Sequence, residues 1–122
     1  MKDEEGATMD LKERTKRFAL RVIRLYVALP KSTESQVIGK QLLQSGTSVG
    51  AHYREASRAR STAEFVSKIE GGLQELEETA YWMELLVEST IVPIRKLAAL
   101  QREAEELIAI LVTCSKNAKL KK

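Results

Sequence analysis

Five residues in the middle of the chain, Gly46-Thr47-Ser48-Val49-Gly50, fit the G-x-S-x-G pattern of a nucleophile elbow. In that motif a sharp strand-to-helix turn lifts a serine hydroxyl, and a histidine and a carboxylate activate it. The chain's one histidine, His52, lies four residues beyond Ser48. Glu55, Glu75 and Glu78 are carboxylates that a metal site could use, Cys114 is the single thiol, and Trp82 could stack a nucleobase. Arg14, Arg17, Arg21 and Arg24 recur at three-four-three spacing, which places four guanidinium groups on one helix face. Guanidinium is planar and presents paired donors to phosphate. Arg54, Arg58 and Arg60 add three more near a turn.

Which chemistry survives depends on the elements that carry these residues. Leu11, Thr15, Phe18, Val22, Leu25 and Leu29 alternate spacings of four and three, the pattern of a bundle seam, and predict a first helix from an N-cap near Asp10 to just before Pro30. A second helix starts near Thr33, with Gln36 completing a capping box, and runs through Ile38, Leu42, Ser45, Val49, Tyr53 and Ala56. The chain turns around residues 59–61, where Ser61 and Glu64 form another capping box. A third helix covers roughly 62–89, with Phe65, Ile69, Gly72, Leu76, Ala80, Met83 and Val87 on its seam. Pro93 suits the first turn of a fourth, which runs to about Asn117 through Leu97, Leu100, Ala104, Leu107, Leu111, Cys114 and Ala118. Four helices joined by short turns predict an all-α, up-down-up-down four-helix bundle over residues 10–118. Residues 1–9 form an acidic tail and residues 119–122 a basic one.

The helical reading removes the elbow, because the seam continues straight through Gly46 to Gly50. The two glycines then mark places where another helix comes close. A hydrolase using Ser48 is the weakest of the readings, and the chain is expected not to be an enzyme. A di-iron site of the bundle type needs a Glu-x-x-His pair on each of two helices, and one histidine cannot supply that. No metal or cofactor is expected. Glu55, Glu75 and Glu78 are instead expected to make polar contacts to Arg54, Gln41 or Ser48 that fix helix register. Cys114 on the seam predicts a buried, inert thiol.

Charge is segregated beneath a net charge of +3. Residues 10–29 carry six basic and two acidic groups, residues 61–89 one and seven, and residues 90–122 seven and three. Such blocks predict helices with differently charged outer faces. The arginine stripe of the first helix is the best functional lead, and binding through it would be phosphate-led and weakly specific. Its acidic counterparts on the third helix could instead neutralise it. Leu20, Ile23 and Val27 form a second apolar strip, turned roughly 150° from the seam, which predicts an interface with another subunit. The start of the chain lacks an apolar signal region and no run is long enough to span a bilayer, so a cytoplasmic protein with no membrane partner is expected.

QLLQSGTSVGAHYREASRARSTAEFVSKI, followed by QELEETAYWMELL, resembles the small bacterial proteins known from intervening sequences of 23S ribosomal RNA genes. Gln41, Ser45, Ser48, Gly50, Arg54-Glu55-Ala56, Phe65, Glu75, Glu78, Tyr81 and Trp82 carry the likeness. The resemblance implies a four-helix bundle assembled as a homopentamer, without enzymatic activity. A related group, the accessory variability determinants of diversity-generating retroelements, has a basic surface and binds nucleic acid and a reverse transcriptase. The chain departs from the pattern at His52, where the family generally has Asn, and at Gly71-Gly72. The expectation is therefore a homopentameric bundle that binds RNA or DNA through Arg14, Arg17, Arg21, Arg24, Arg54, Arg58 and Arg60. The alternative is a protein-binding scaffold such as an accessory subunit of a reverse transcriptase.

Overall fold

The computed structural model describes residues 11–121. They form four helices: α1, Leu11–Ala28; α2, Thr33–Ser57; α3, Thr62–Glu88; and α4, Ile94–Leu120. No strand occurs among the described residues. The expected N-cap at Asp10 and the acidic tail lie outside them. The last helix reaches Leu120, past the expected end near Asn117, so Lys119 and Leu120 of the predicted basic tail are helical.

Neighbours in sequence are neighbours in space: α1 packs on α2, α2 on α3 and α3 on α4. Only α1 and α4 meet sparingly. The core is a column of seam residues, among them Leu11, Phe18, Val22, Leu42, Val49, Ile69, Leu76, Met83, Leu107 and Leu111, each almost fully buried. Their removal from water is the main force holding the helices together.

Glycine sets the α1–α2 distance. A Cβ on Gly46 would stand 2.9 Å from both γ-methyl groups of Val22, and one on Gly50 would stand 3.2 Å from Thr15 Oγ1. The segment that spells the elbow is thus a close-contact surface of α2, as is Gly39, where a Cβ would stand 2.7 Å from Leu29 Cδ1. Thr15 satisfies its own hydroxyl by donating to the Leu11 carbonyl at 2.7 Å, so a polar side chain sits in the core at no cost in lost hydrogen bonds.

The helix ends show what capping chemistry does. The N-cap of α2 is Ser32, not Thr33, and its Oγ accepts from the Ser35 amide. Gln36 turns back to donate to the Pro30 carbonyl and to accept from Tyr26 Oη, fastening the first turn instead of capping it. Ser61 caps α3 by accepting from the Glu64 amide at 3.1 Å, as expected. The α3–α4 turn is a Schellman motif: Ile91 N donates to Leu86 O and Thr90 N to Val87 O. It forces Thr90 to φ 61°, a left-handed conformation that a β-branched residue rarely adopts.

The buried register on α3 corrects the expected seam. Ile69, Gly72, Leu76, Thr79, Met83 and Leu86 are buried, an unbroken alternation of three and four, whereas Ala80 and Val87 are only partly covered. Thr79 enters the core because its Oγ1 donates to Glu75 O at 2.8 Å and shares a 2.8 Å hydrogen bond with Ser45 on α2. On α4 Ser115, not Cys114, takes the buried position.

Candidate nucleic-acid interface

The seven arginines do not form one surface. Arg14 lies across the α1–α4 seam: its Nε and Nη2 donate to both oxygens of Glu103, at 3.0 and 2.8 Å, and Nη2 also reaches Glu106 at 3.0 Å. This fork raises the Arg14 pKa, chiefly through the hydrogen bonds to Glu103 against a desolvation that lowers it. Arg17 rests against Glu13 on its own helix at 3.3 Å. The neutralising carboxylates therefore come from α4 and α1, not from the acidic stripe of α3.

Arg21 and Arg24 differ. Among the described residues neither has a carboxylate within ion-pair distance. They stand beside Lys96 at the rim of an open groove of about 510 Å³, where α1 and α4 diverge near Pro30 and Pro93. Leu25, Leu29, Leu97 and Leu100 line its floor, and no carboxylate contributes to it.

Arg58 and Arg60 occupy the opposite end. Arg58 is the C-cap of α2 and Arg60 lies in the next turn, both exposed. Arg54, one turn earlier, is half-buried. None of the three has an ion-pair partner among the described residues. Val22 of α1 lies level with Gly46 of α2, twelve residues before Arg58, so about 18 Å of helix at 1.5 Å per residue separates the two groups.

The remaining candidates are accounted for locally. Ser48 lies inside α2 and its Oγ donates to the Gln44 carbonyl at 2.7 Å, so no strained turn presents it. Glu55 pairs with Lys68 at 3.1 Å, and Glu75 faces His52 at 4.0 Å, in place of the expected contacts to Arg54, Gln41 and Ser48. Among the described residues no three metal-ligating side chains converge. Cys114 is half-buried, and desolvation pushes its thiol pKa up, away from thiolate chemistry. Trp82 packs against the core with its ring edge-on to Tyr81, centroids 5.1 Å apart.

His52 and Gly71-Gly72, the two departures from the family pattern, prove to be one feature. A Cβ on Gly71 would stand 3.0 Å from imidazole Cε1 and Nδ1, and one on Gly72 would stand 3.2 Å from His52 Cβ. The glycines of α3 are the recess that admits the ring of α2. Inside it His52 Nδ1 is buried without a hydrogen-bond partner.

Residues 7–113 match the family model of the 23S rRNA-intervening sequence protein. The chain belongs to that family. Among solved structures it is similar to a protein of unknown function from the S23 ribosomal protein family of Bacteroides thetaiotaomicron. The two share 35% identity with a TM-score of 0.81, over 86% of this chain and 97% of the other. No curated protein matches the chain. Family membership accounts for the four helices, and at 35% identity the likeness extends to sequence as well as shape. No helix among the described residues of this family member is long and apolar enough to cross a membrane.

Proposed function

We propose that the protein is a non-enzymatic helical bundle that binds RNA or DNA electrostatically, as a homo-oligomer and by family resemblance a pentamer. One observation carries the reading: Arg21, Arg24, Arg58 and Arg60 keep their charge unpartnered among the described residues, while Arg14 and Arg17 spend theirs on neighbouring carboxylates. Unpartnered surface cations condense onto phosphate and release counterions. Oligomerisation would multiply a weak patch into avid binding along one polymer. The test is a binding titration across salt. Log affinity should fall steeply with log salt, by about 0.9 per neutralised phosphate on duplex DNA. Arg24→Gln and Arg58→Gln should flatten that slope, and Arg14→Gln should not. Absence of binding at low salt would overturn the reading.

A second reading, a protein-binding scaffold such as an accessory subunit of a retroelement reverse transcriptase, draws on the outer strip of α1. Leu20, Ile23 and Val27 are 42%, 38% and 68% exposed, on the side of α1 away from the core. The same strip is the proposed contact between subunits. Leu20→Lys with Val27→Lys should lower the mass of the particle in sedimentation if the strip joins copies of the chain. Unchanged mass with loss of a reverse-transcriptase complex would favour the scaffold.

A further inference from the structure

Two exposed stripes of the bundle complement each other and lie out of each other's reach. On α1, Lys12, Lys16, Leu20, Ile23 and Val27 follow at spacings of four, four, three and four, so they share one face of the helix, and all are exposed. The stripe is cationic at its N-terminal end and aliphatic beyond. Lys16 only approaches Glu13, at 3.9 Å, and Lys12 has no carboxylate within ion-pair distance among the described residues. On α3, Glu77, Tyr81, Glu84 and Glu88 follow at four, three and four, again on one exposed face. Glu105 of α4 closes a groove of about 390 Å³ beside Glu77, Tyr81 and Glu84, and no cation lines it. None of these four glutamates has an ion-pair partner among the described residues. Tyr81 is 52% exposed, and Val112, two turns beyond Glu105 on the same face of α4, is 37% exposed.

We propose that the α1 stripe of one copy of the chain docks on the acidic α3–α4 groove of the next. Lys12 and Lys16 meet Glu77, Glu84 and Glu105, and the aliphatic end of the stripe packs along Tyr81 and Val112. Charge selects this pairing. Two α1 stripes would set lysine against lysine and two grooves glutamate against glutamate, so neither surface suits itself. Within one chain α1 and α3 do not touch, so a second copy must supply the complement. The contact joins unlike surfaces, which leaves each copy with a free stripe and a free groove until a ring closes. None of the arginines that would hold phosphate takes part. The proposal rests on the homo-oligomer reading and adds to it the two faces that meet and their head-to-tail sense.

The test uses the full chain. Lys12→Glu with Lys16→Glu, and separately Glu77→Lys with Glu84→Lys, should each sediment at a lower mass than the parent particle while circular dichroism stays helical. The chain carrying all four changes should regain the parent mass, because the exchange restores opposite signs across the contact. Misfolding cannot produce that rescue. On the unaltered chain, a carbodiimide, which joins amine to carboxylate without a spacer, should link peptides containing Lys12 or Lys16 to peptides containing Glu77 or Glu84. Since α1 and α3 do not touch within one chain, such links join copies. Full mass in both two-site variants would overturn the proposal and leave the homo-oligomer reading standing, as would an oligomeric parent without those links. A folded four-site chain that fails to regain mass would overturn it as well. A monomeric parent would overturn both the proposal and the homo-oligomer reading.

Discussion

The two sides of α1 are held in opposite ways. Toward α2 there is no room: Gly46 and Gly50 let the backbone of α2 settle against Val22 and Thr15. Toward α4 the helices diverge, and the main polar tie is the fork of Arg14 onto Glu103 and Glu106. The close contact gains dispersion and apolar burial at every turn, and it tolerates no added atom. The open one is spanned by a long, partly solvated ion pair and leaves an apolar groove beyond it. One helix thereby serves as fixed core wall and as accessible surface.

The contrast breaks most severely at the glycines. Gly46→Val should drive two methyl groups into Val22 and cost about 3 kcal/mol, read as a lower urea midpoint. On α3, Gly71→Ala should lower stability by about 1 kcal/mol because its methyl meets the imidazole. In a double-mutant cycle with His52→Asn that loss should shrink, and additive effects would show that the two sites are independent. At the open seam, Arg14→Met should cost only about 1 kcal/mol, since solvent screens the pair. Thr90→Gly should raise stability by about as much, by relieving φ 61° in the turn beside the groove.

The smallest effect concerns acid. Hydrogen bonds from Lys119 and Ser115, with the Lys119 charge, hold the Glu70 carboxyl below its ordinary pKa of 4.5. A depressed carboxylate contributes stability that is fully present above its unfolded pKa and lost as pH falls through the folded one. Glu70→Gln should therefore lower stability slightly at pH 7 and flatten the decline below about pH 4.5. An unchanged acid limb would show that the Lys119–Glu70 contact, though short at 2.8 Å, contributes nothing in solution.

The fold is legible in the sequence because burial follows spacings of three and four along α1, α3 and α4, and apolar residues mark most of those positions. It becomes illegible where a hydroxyl takes a core place. Thr79 is polar by type, so an apolar pattern passes over it to Ala80, although the Glu75 carbonyl and Ser45 make its burial cheap. The cap of α2 falls one residue before the expected position, since serine and threonine stand side by side there and sequence alone does not say which leaves the helix. The arginine stripe is legible as a stripe. Its division into partnered and unpartnered charges is not, because Glu103 lies 89 residues from Arg14. The groove leaves no signal in any single helix. It arises where α1 and α4 part, and only the folded chain brings Arg21, Arg24 and Lys96 to its rim.

The recess that holds His52 ties the size of one side chain on α2 to the absence of one on α3. An imidazole fits there without displacement while position 71 carries no side chain, since a methyl would stand 3.0 Å from the ring. Asparagine, being shorter, makes no such demand. A larger residue at position 71 is therefore opposed for as long as the histidine remains.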